Sequence, residues 1–190
     1  MNIHEAIKTR RSISLVTEQE VPEELIEQII EAGTYAPNHH KSEPWRFFVL
    51  RGDGRKKLGK VLAAITKSQQ EDPLSADSLA KIERSERNPL RAPVIIAVGV
   101  EPGTEDKIIE KEEFAAVSSA VQNMLLTAHA LGLGAIWRTG AICYHPQVRD
   151  FFGLSEKGEL SAFIYLGYPD FEPKPYTRTD AKKLTTWIDA

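Results

Sequence analysis

The stretch Glu112–Ala141, EEFAAVSSAVQNMLLTAHALGLGAIWRTGA, decides most of how this chain is read. Phe114, Val117, Val121, Met124, Leu125 and Ala128 recur with the helical period, so a long helix is expected from about Glu112 to Leu131. Gly132 should stop it, because glycine takes the left-handed cap conformation at little cost. Ala135–Gly140, AIWRTG, then reads as a short strand running into a turn. The middle of the helix, AAVSSA, carries unusually small side chains. They would let another helix approach closely, from the same subunit or from a second one, and periodicity does not separate the two.

Upstream, Ile3, Ala6 and Ile7 share one helical face behind Asn2 as N-cap, and that helix should end near Thr9 or Arg10. A second helix opens at Pro22, has Glu23 and Glu24 at the positive end of its dipole, and buries Leu25, Ile26, Ile29 and Ile30. Gly33 is expected to close it. Residues 36–44, APNHHKSEP, form a loop by their proline and asparagine content. Trp45–Leu50 reads as a buried strand and Gly54–Lys67 as a basic helix. The polar, proline-punctuated stretch Ser68–Leu90 reads as a surface excursion with a short helix. Ala92–Val100 is apolar throughout, which suits a strand covered on both faces.

Downstream, His145–Phe152 suggests a short helix and Leu160–Tyr168 a strand. The tail, about 169–190, holds Pro169, Pro173 and Pro175 and ends in LTTWIDA. It should be an extended arm. Its Leu184, Trp187 and Ile188 call for an apolar surface, on the chain's own core or on a partner subunit. No repeat, low-complexity tract or linker interrupts the order. The expectation is one domain over residues 1–190, of α+β class, with a small sheet between helices.

The 190 residues are 42% hydrophobic and 27% charged with a net charge of −3, the balance of a soluble globular protein without the basic footprint of a nucleic-acid binder. Cys143 is the single cysteine, so no disulfide forms within the chain and a reducing cytoplasm fits. No apolar run reaches membrane-spanning length, and the first residues lack the apolar core of a secretory signal. Their basic, amphipathic pattern could imitate an organelle transit segment, against which stand Glu5 and the acidic helix that follows.

Several motifs tempt and fall short. Gly54–Lys60 matches G-x-x-x-x-G-K between a strand and a helix, which would make a magnesium-dependent nucleotide triphosphatase. Val61 stands where that chemistry needs Ser or Thr, and Arg55-Lys56-Lys57-Leu58 is too bulky for a phosphate cradle. Arg51–Gly54, RGDG, has Lys57 where the third glycine of a dinucleotide fingerprint belongs. His39 with His40, and Cys143 with His145, lack the spacing of a zinc site, and no metal is expected. Cys143 reads as an inert, part-buried thiol.

Thr9–Ser12, TRRS, is more pointed: two guanidiniums and a hydroxyl follow the end of a helix. They could be solvated charges that complement the dipole, or they could await an anion.

Three segments, TRRS, then APNHHKSEPWRFFV, then GAIWRTGA, stand in an order and at spacings that resemble the flavin-dependent nitroreductase family. The likeness is greatest to its small, compact branch, whose later flavin motif reads W-R-[ST]-G, and it runs from Ala6 to about Gly167. The resemblance implies a nitroreductase-like fold, with a small, mostly antiparallel sheet flanked by helices and a long central helix at a dimer interface. It implies a homodimer with flavin mononucleotide (FMN) at the interface. It also implies NAD(P)H as hydride donor and a nitro-aromatic, quinone or similar small acceptor. Relatives that fragment flavin or remove halogens supply an alternative reaction on the same fold.

By family position, Arg10, Arg11 and Ser12 would hold the flavin phosphate, joined by Arg138 with Trp137 and Thr139 beside it. His39 would meet the flavin from the partner subunit, with Tyr35 nearby. The cofactor carries the chemistry, so no side chain is expected to be catalytic. One departure stands out: many relatives read Gln-Pro-Trp where this chain has Glu43-Pro44-Trp45. A carboxylate facing the ring would disfavour an anionic reduced flavin.

Overall fold

The computed structural model describes residues 1–174 and 176–188. Pro175 of the proline-spaced arm and Asp189-Ala190 at its tip lie outside the described residues. The architecture is α+β: a four-stranded, wholly antiparallel sheet with helices on both faces. Its strands are β1 (Trp45–Leu50), β2 (Val94–Val100), β3 (Gly134–Arg138) and β4 (Glu159–Gly167), in the spatial order β1-β2-β4-β3. The helices are α1 (Ile3–Thr9), α2 (Glu23–Thr34), α3 (Asp53–Ser68), α4 (Ala76–Arg87), α5 (Glu110–Ala130) and α6 (Pro146–Phe151). No helix among the described residues is long and apolar enough to cross a membrane.

Side chains alternate across the sheet, so each strand feeds two cores. On one face Val94, Ile96, Val98, Ala162, Ile164 and Ala135 pack against Ile26 and Ile29 of α2 and Val117, Val121 and Met124 of α5. On the other, Ile95, Ala97, Leu160 and Phe163 pack against Leu58, Leu62 and Ile65 of α3 and Val148 of α6. The unbroken burial of β2 and its central place explain its continuous apolar run. β1, expected to be buried, is an edge strand whose Arg46 and Val49 are exposed.

Gly33 does not stop α2, which runs on through Thr34. It is buried inside the helix, and a Cβ there would sit 3.1 Å from Met124 and 3.2 Å from Phe47. The residue is glycine for closeness, not for a turn. Gly132 does follow α5 with a left-handed φ of 79°, as its position suggested. Within AAVSSA, Ala116, Val117 and Ala120 are buried against the chain's own core, whereas Ala115 is exposed. The nucleotide-cradle reading of Gly54–Lys60 fails on geometry. The segment lies wholly within the first turns of α3, so no loop surrounds a phosphate.

Among its described residues the arm begins with a single antiparallel bridge of Pro169 to Val16, carries a short 3-10 turn at Ala181–Leu184, and has no other regular structure. Trp187 is 83% exposed and Ile188 92% exposed, so neither packs on the core of this chain.

Candidate functional site

α1 delivers the first candidate residues. Asn2 caps it by accepting from the Glu5 N–H at 3.0 Å, and the chain leaves the helix at Arg10. Ile13–Thr17 then runs alongside the sheet margin: the Ile13 N–H donates to Ala135 O at 3.0 Å and the Thr17 N–H to Tyr168 O at 2.8 Å. Arg10, Arg11 and Ser12 are thereby fixed between the end of α1 and the end of the sheet.

Arg10 and Arg11 line a cleft of about 540 Å³ together with Ile7, Lys8, Gln122 of α5, and Tyr176 and Arg178 of the arm. Among the described residues four cations face it and no carboxylate does. Burial, and then the Arg178 and Arg11 charges, push the Arg10 guanidinium below its usual range. Arg11 also answers the solvated-helix-end reading, because its Nη1 donates to the carbonyls of Lys8 (2.8 Å) and Arg10 (2.9 Å). Its Nε is nevertheless buried without a partner among the described residues. Ser12 is exposed beside this cleft. Arg178 and Gln122 escaped sequence reasoning. The one lies in a proline-spaced arm far along the chain, the other on a long helix, and neither carries a local motif.

The second group surrounds the loop before β1. Nδ1 of His39 lies 2.6 Å from Oε2 of Glu112, at the start of α5, and His39 stacks on His40 with ring centroids 3.8 Å apart. His40, Lys41 and Glu43 all take positive φ (57°, 56° and 46°), a run of strain that non-glycine residues tolerate only when held in place. The holding group is Glu113, buried at the base of the loop. It accepts from Ser42 Oγ at 2.6 Å and from the Gly103 N–H at 3.3 Å. Glu43 itself is exposed, its N–H donating to Asn38 Oδ1 at 3.0 Å. Tyr35 is 78% exposed just after α2.

The third group ends β3. Trp137 faces the α5 side of the sheet, its Nε1–H donating to Ser161 O at 3.3 Å. Arg138 faces the opposite side, its guanidinium 5.3 Å from the centroid of the Tyr165 ring, and among the described residues its Nε is buried without a partner. Trp137, Arg138 and Thr139 border a cleft of about 350 Å³ with Asn88 and Arg91. Within one chain, then, the structure brings Arg10 and Arg11 together with Arg178. It does not bring Arg138 to them. The His39 loop stands apart from both.

Cys143 is wholly buried, not partly, and sits near Leu160 O at 3.7 Å. Burial, reinforced by the Glu159 charge, pushes its thiol up to about 12, so it is no nucleophile.

A family model described as "Nitroreductase family" matches residues 7–168. A protein of Escherichia coli (strain K12), "Putative NAD(P)H nitroreductase YdjA", is 35% identical over 173 residues, covering 90% of this chain and 91% of that one. A nitroreductase-like family protein from Bacillus cereus superposes with a TM-score of 0.83 at 27% identity, covering 100% of this chain and 97% of that one. A solved structure from Desulfovibrio desulfuricans, described as a "putative nitroreductase in complex with fmn", gives a TM-score of 0.73 at 32% identity, over 100% and 99% of the two chains. The chain belongs to the nitroreductase family.

Proposed function

We propose, from membership of the nitroreductase family, that this chain is an FMN-dependent oxidoreductase acting as a homodimer. The observation that carries the reading is the cleft at the end of α1. Among the described residues three guanidiniums and Lys8 face it without a carboxylate, and one of them, Arg11, keeps a buried Nε unpartnered. A phosphate dianion supplies the missing acceptors, and the forked guanidinium donors match its oxygens. The Gln122 amide and the Ser12 hydroxyl add neutral donors suited to a ribityl chain. The donor set therefore fits FMN, the ligand of the Desulfovibrio relative.

When bound, FMN would supply two-electron chemistry, taking a hydride from NAD(P)H and returning the electrons to a nitro-aromatic, quinone or similar small acceptor. The protein's part is to bind and orient. Arg10, Arg11, Ser12 and Arg178 would anchor the phosphate end. Trp137, Arg138 and Thr139 at the end of β3, His39 near the start of α5, and Tyr35 at the end of α2 stand at other places around the subunit. Such a dispersed set suits a cofactor that lies between two copies of one domain. The exposed Leu184, Trp187 and Ile188 of the arm, and Ile3 and Ile7 of α1, would be covered in that dimer.

The test is the visible spectrum of the purified protein and the mass of any released chromophore. A yellow protein with about one FMN per chain, bleached by NAD(P)H without oxygen, is expected. A colourless protein that also refuses added FMN would sink the reading.

A further inference from the structure

The strain in the loop after Asn38 serves nothing inside the fold. His40, Lys41 and Glu43 sit at positive φ, yet no residue from His39 to Glu43 is buried. Left-handed backbone is costly for residues other than glycine. A strained segment that adds nothing to a core is held for the side chains it presents. The hold comes from two adjacent carboxylates in the first turn of α5. Glu112 takes the near end of the loop, its Oε2 2.6 Å from His39 Nδ1. Glu113 takes the far end, its Oε1 accepting from Ser42 Oγ at 2.6 Å.

An ordinary tie between loops covers only part of this. Among the described residues Glu113 is the only acidic or basic side chain that is buried, a costly placement, and both its bonds reach loops, Ser42 and Gly103. The Glu112 bond joins two partly exposed groups, and such a pair adds little stability. It does fix a ring. A carboxylate only accepts, so Nδ1 of His39 carries a proton and Nε2 is the ring nitrogen left for a ligand. His40 sets the plane of that ring, stacked on it at 3.8 Å between centroids and 17° between planes. His39 also borders a cleft of about 410 Å³ with Ala115 and Ser119, the small residues of α5 against which a second copy would sit.

We infer that Glu112 and Glu113 are positioning residues of the flavin site: Glu113 holds the strained loop, and Glu112 orients the His39 imidazole so that Nε2 is presented to the cofactor across the dimer. The inference rests on the proposed flavin reading, which brings His39 to the ring from the partner subunit. Both carboxylates act through the loop rather than on the cofactor. The helix that carries them also carries Gln122 and His129 toward the phosphate cleft, so α5 sets the ring contact at its start and the anchor farther along.

The test reads the His39 tautomer by nitrogen NMR, and the bound flavin by visible circular dichroism and fluorescence titration with FMN. The neutral His39 of the wild type should carry its proton on Nδ1. Glu112→Gln should lose that preference, because an amide donates as well as accepts. It should also change the visible circular dichroism of bound FMN at an unchanged melting temperature. Glu113→Ala should weaken FMN binding about tenfold, since the cofactor must then order the loop. Glu113→Gln should lie closer to the wild type, its amide oxygen still accepting. Ser42→Ala cuts the same bond from the loop side and should reproduce the loss, even where Glu113→Ala fails to fold. A neutral wild-type His39 protonated on Nε2 would overturn the inference. So would an unmoved flavin signal in Glu112→Gln, or an FMN affinity unmoved in both Glu113→Ala and Ser42→Ala, because a merely structural tie moves the melting temperature alone. A protein that takes up no FMN would fail the flavin reading instead, and the tautomer would still be legible in it.

Discussion

Thr9 Oγ1 stands 2.8 Å from Nε2 of His129, joining the end of α1 to the last turn of α5. Thr9 spends its own proton on the Glu5 carbonyl at 2.7 Å, so the imidazole N–H is the donor to Thr9. This link sets the distance between the arginines that follow α1 and the helix that carries Gln122.

His129 should make stability pH-dependent. Burial, then the charges of Arg10 and Arg11, push its pKa below the ordinary 6.5, against a weaker upward pull from Glu5. The folded state therefore binds the proton less readily than the unfolded chain. Stability should rise with pH up to about 6.5 and be lost progressively as pH falls below that value. His129→Asn should flatten the dependence, read as melting temperature against pH. A phosphate held by Arg10 and Arg11 would offset their repulsion. Adding FMN should then move the His129 titration upward by NMR, and an unmoved titration would place the phosphate elsewhere.

Arg10 and Arg11 should separate under mutation. Both face the cleft, but Arg11 also satisfies two carbonyls at the end of α1. Arg10→Ala and Arg11→Ala should each weaken FMN binding about ten- to a hundredfold, the worth of one charge-assisted contact. In the flavin-free protein, only Arg11→Ala should also lower stability, by about 1 kcal/mol for the lost carbonyl contacts. Fluorescence titration with FMN and thermal melts of the stripped protein measure the two effects. Equal losses of stability would mean that Arg10 too serves the helix end.

The helices and strands were legible because their signals are local. The run Val94–Val100 is apolar because β2 is covered on both faces, and Gly132 follows α5 because the turn needs a positive φ. Gly33 misled because local pattern cannot tell a helix stop from a close contact with Met124, which is distant in sequence. β1 misled because WRFFVL looks the same at an edge as at a centre; only strand order decides. TRRS pointed to its cleft, but Arg178 and Gln122 join it through tertiary packing that no motif records. The side to which Arg138 turns follows from β3 alternation, and becomes readable only once Trp137 is known to face α5.

Cys143 should resist alkylation in the folded protein. Its thiol is buried and held up to about 12, so the thiolate is scarce at neutral and mildly alkaline pH. Iodoacetamide should label it only after denaturation, as followed by intact mass. Rapid labelling of the native chain would show that α6 and the turn before it open readily. Cys143→Ser should lower stability by roughly 1–3 kcal/mol, since the hydroxyl would be buried with only the Leu160 carbonyl in reach.

Two glycines of α3 should respond to alanine with opposite signs. A Cβ at Gly54 would meet nothing nearer than Leu50 Cβ at 3.8 Å, so Gly54→Ala should stabilise the helix by about 0.5–1 kcal/mol. The same change at Gly59 would drive a Cβ to 2.2 Å from the Glu86 backbone oxygen, and backbone cannot rotate aside as a side chain can. α4 must then lift from α3, costing about 1–3 kcal/mol even after the gain in helix propensity. Chemical denaturation of both variants gives the comparison. A stabilised Gly59→Ala would mean that α4 sits loosely on α3.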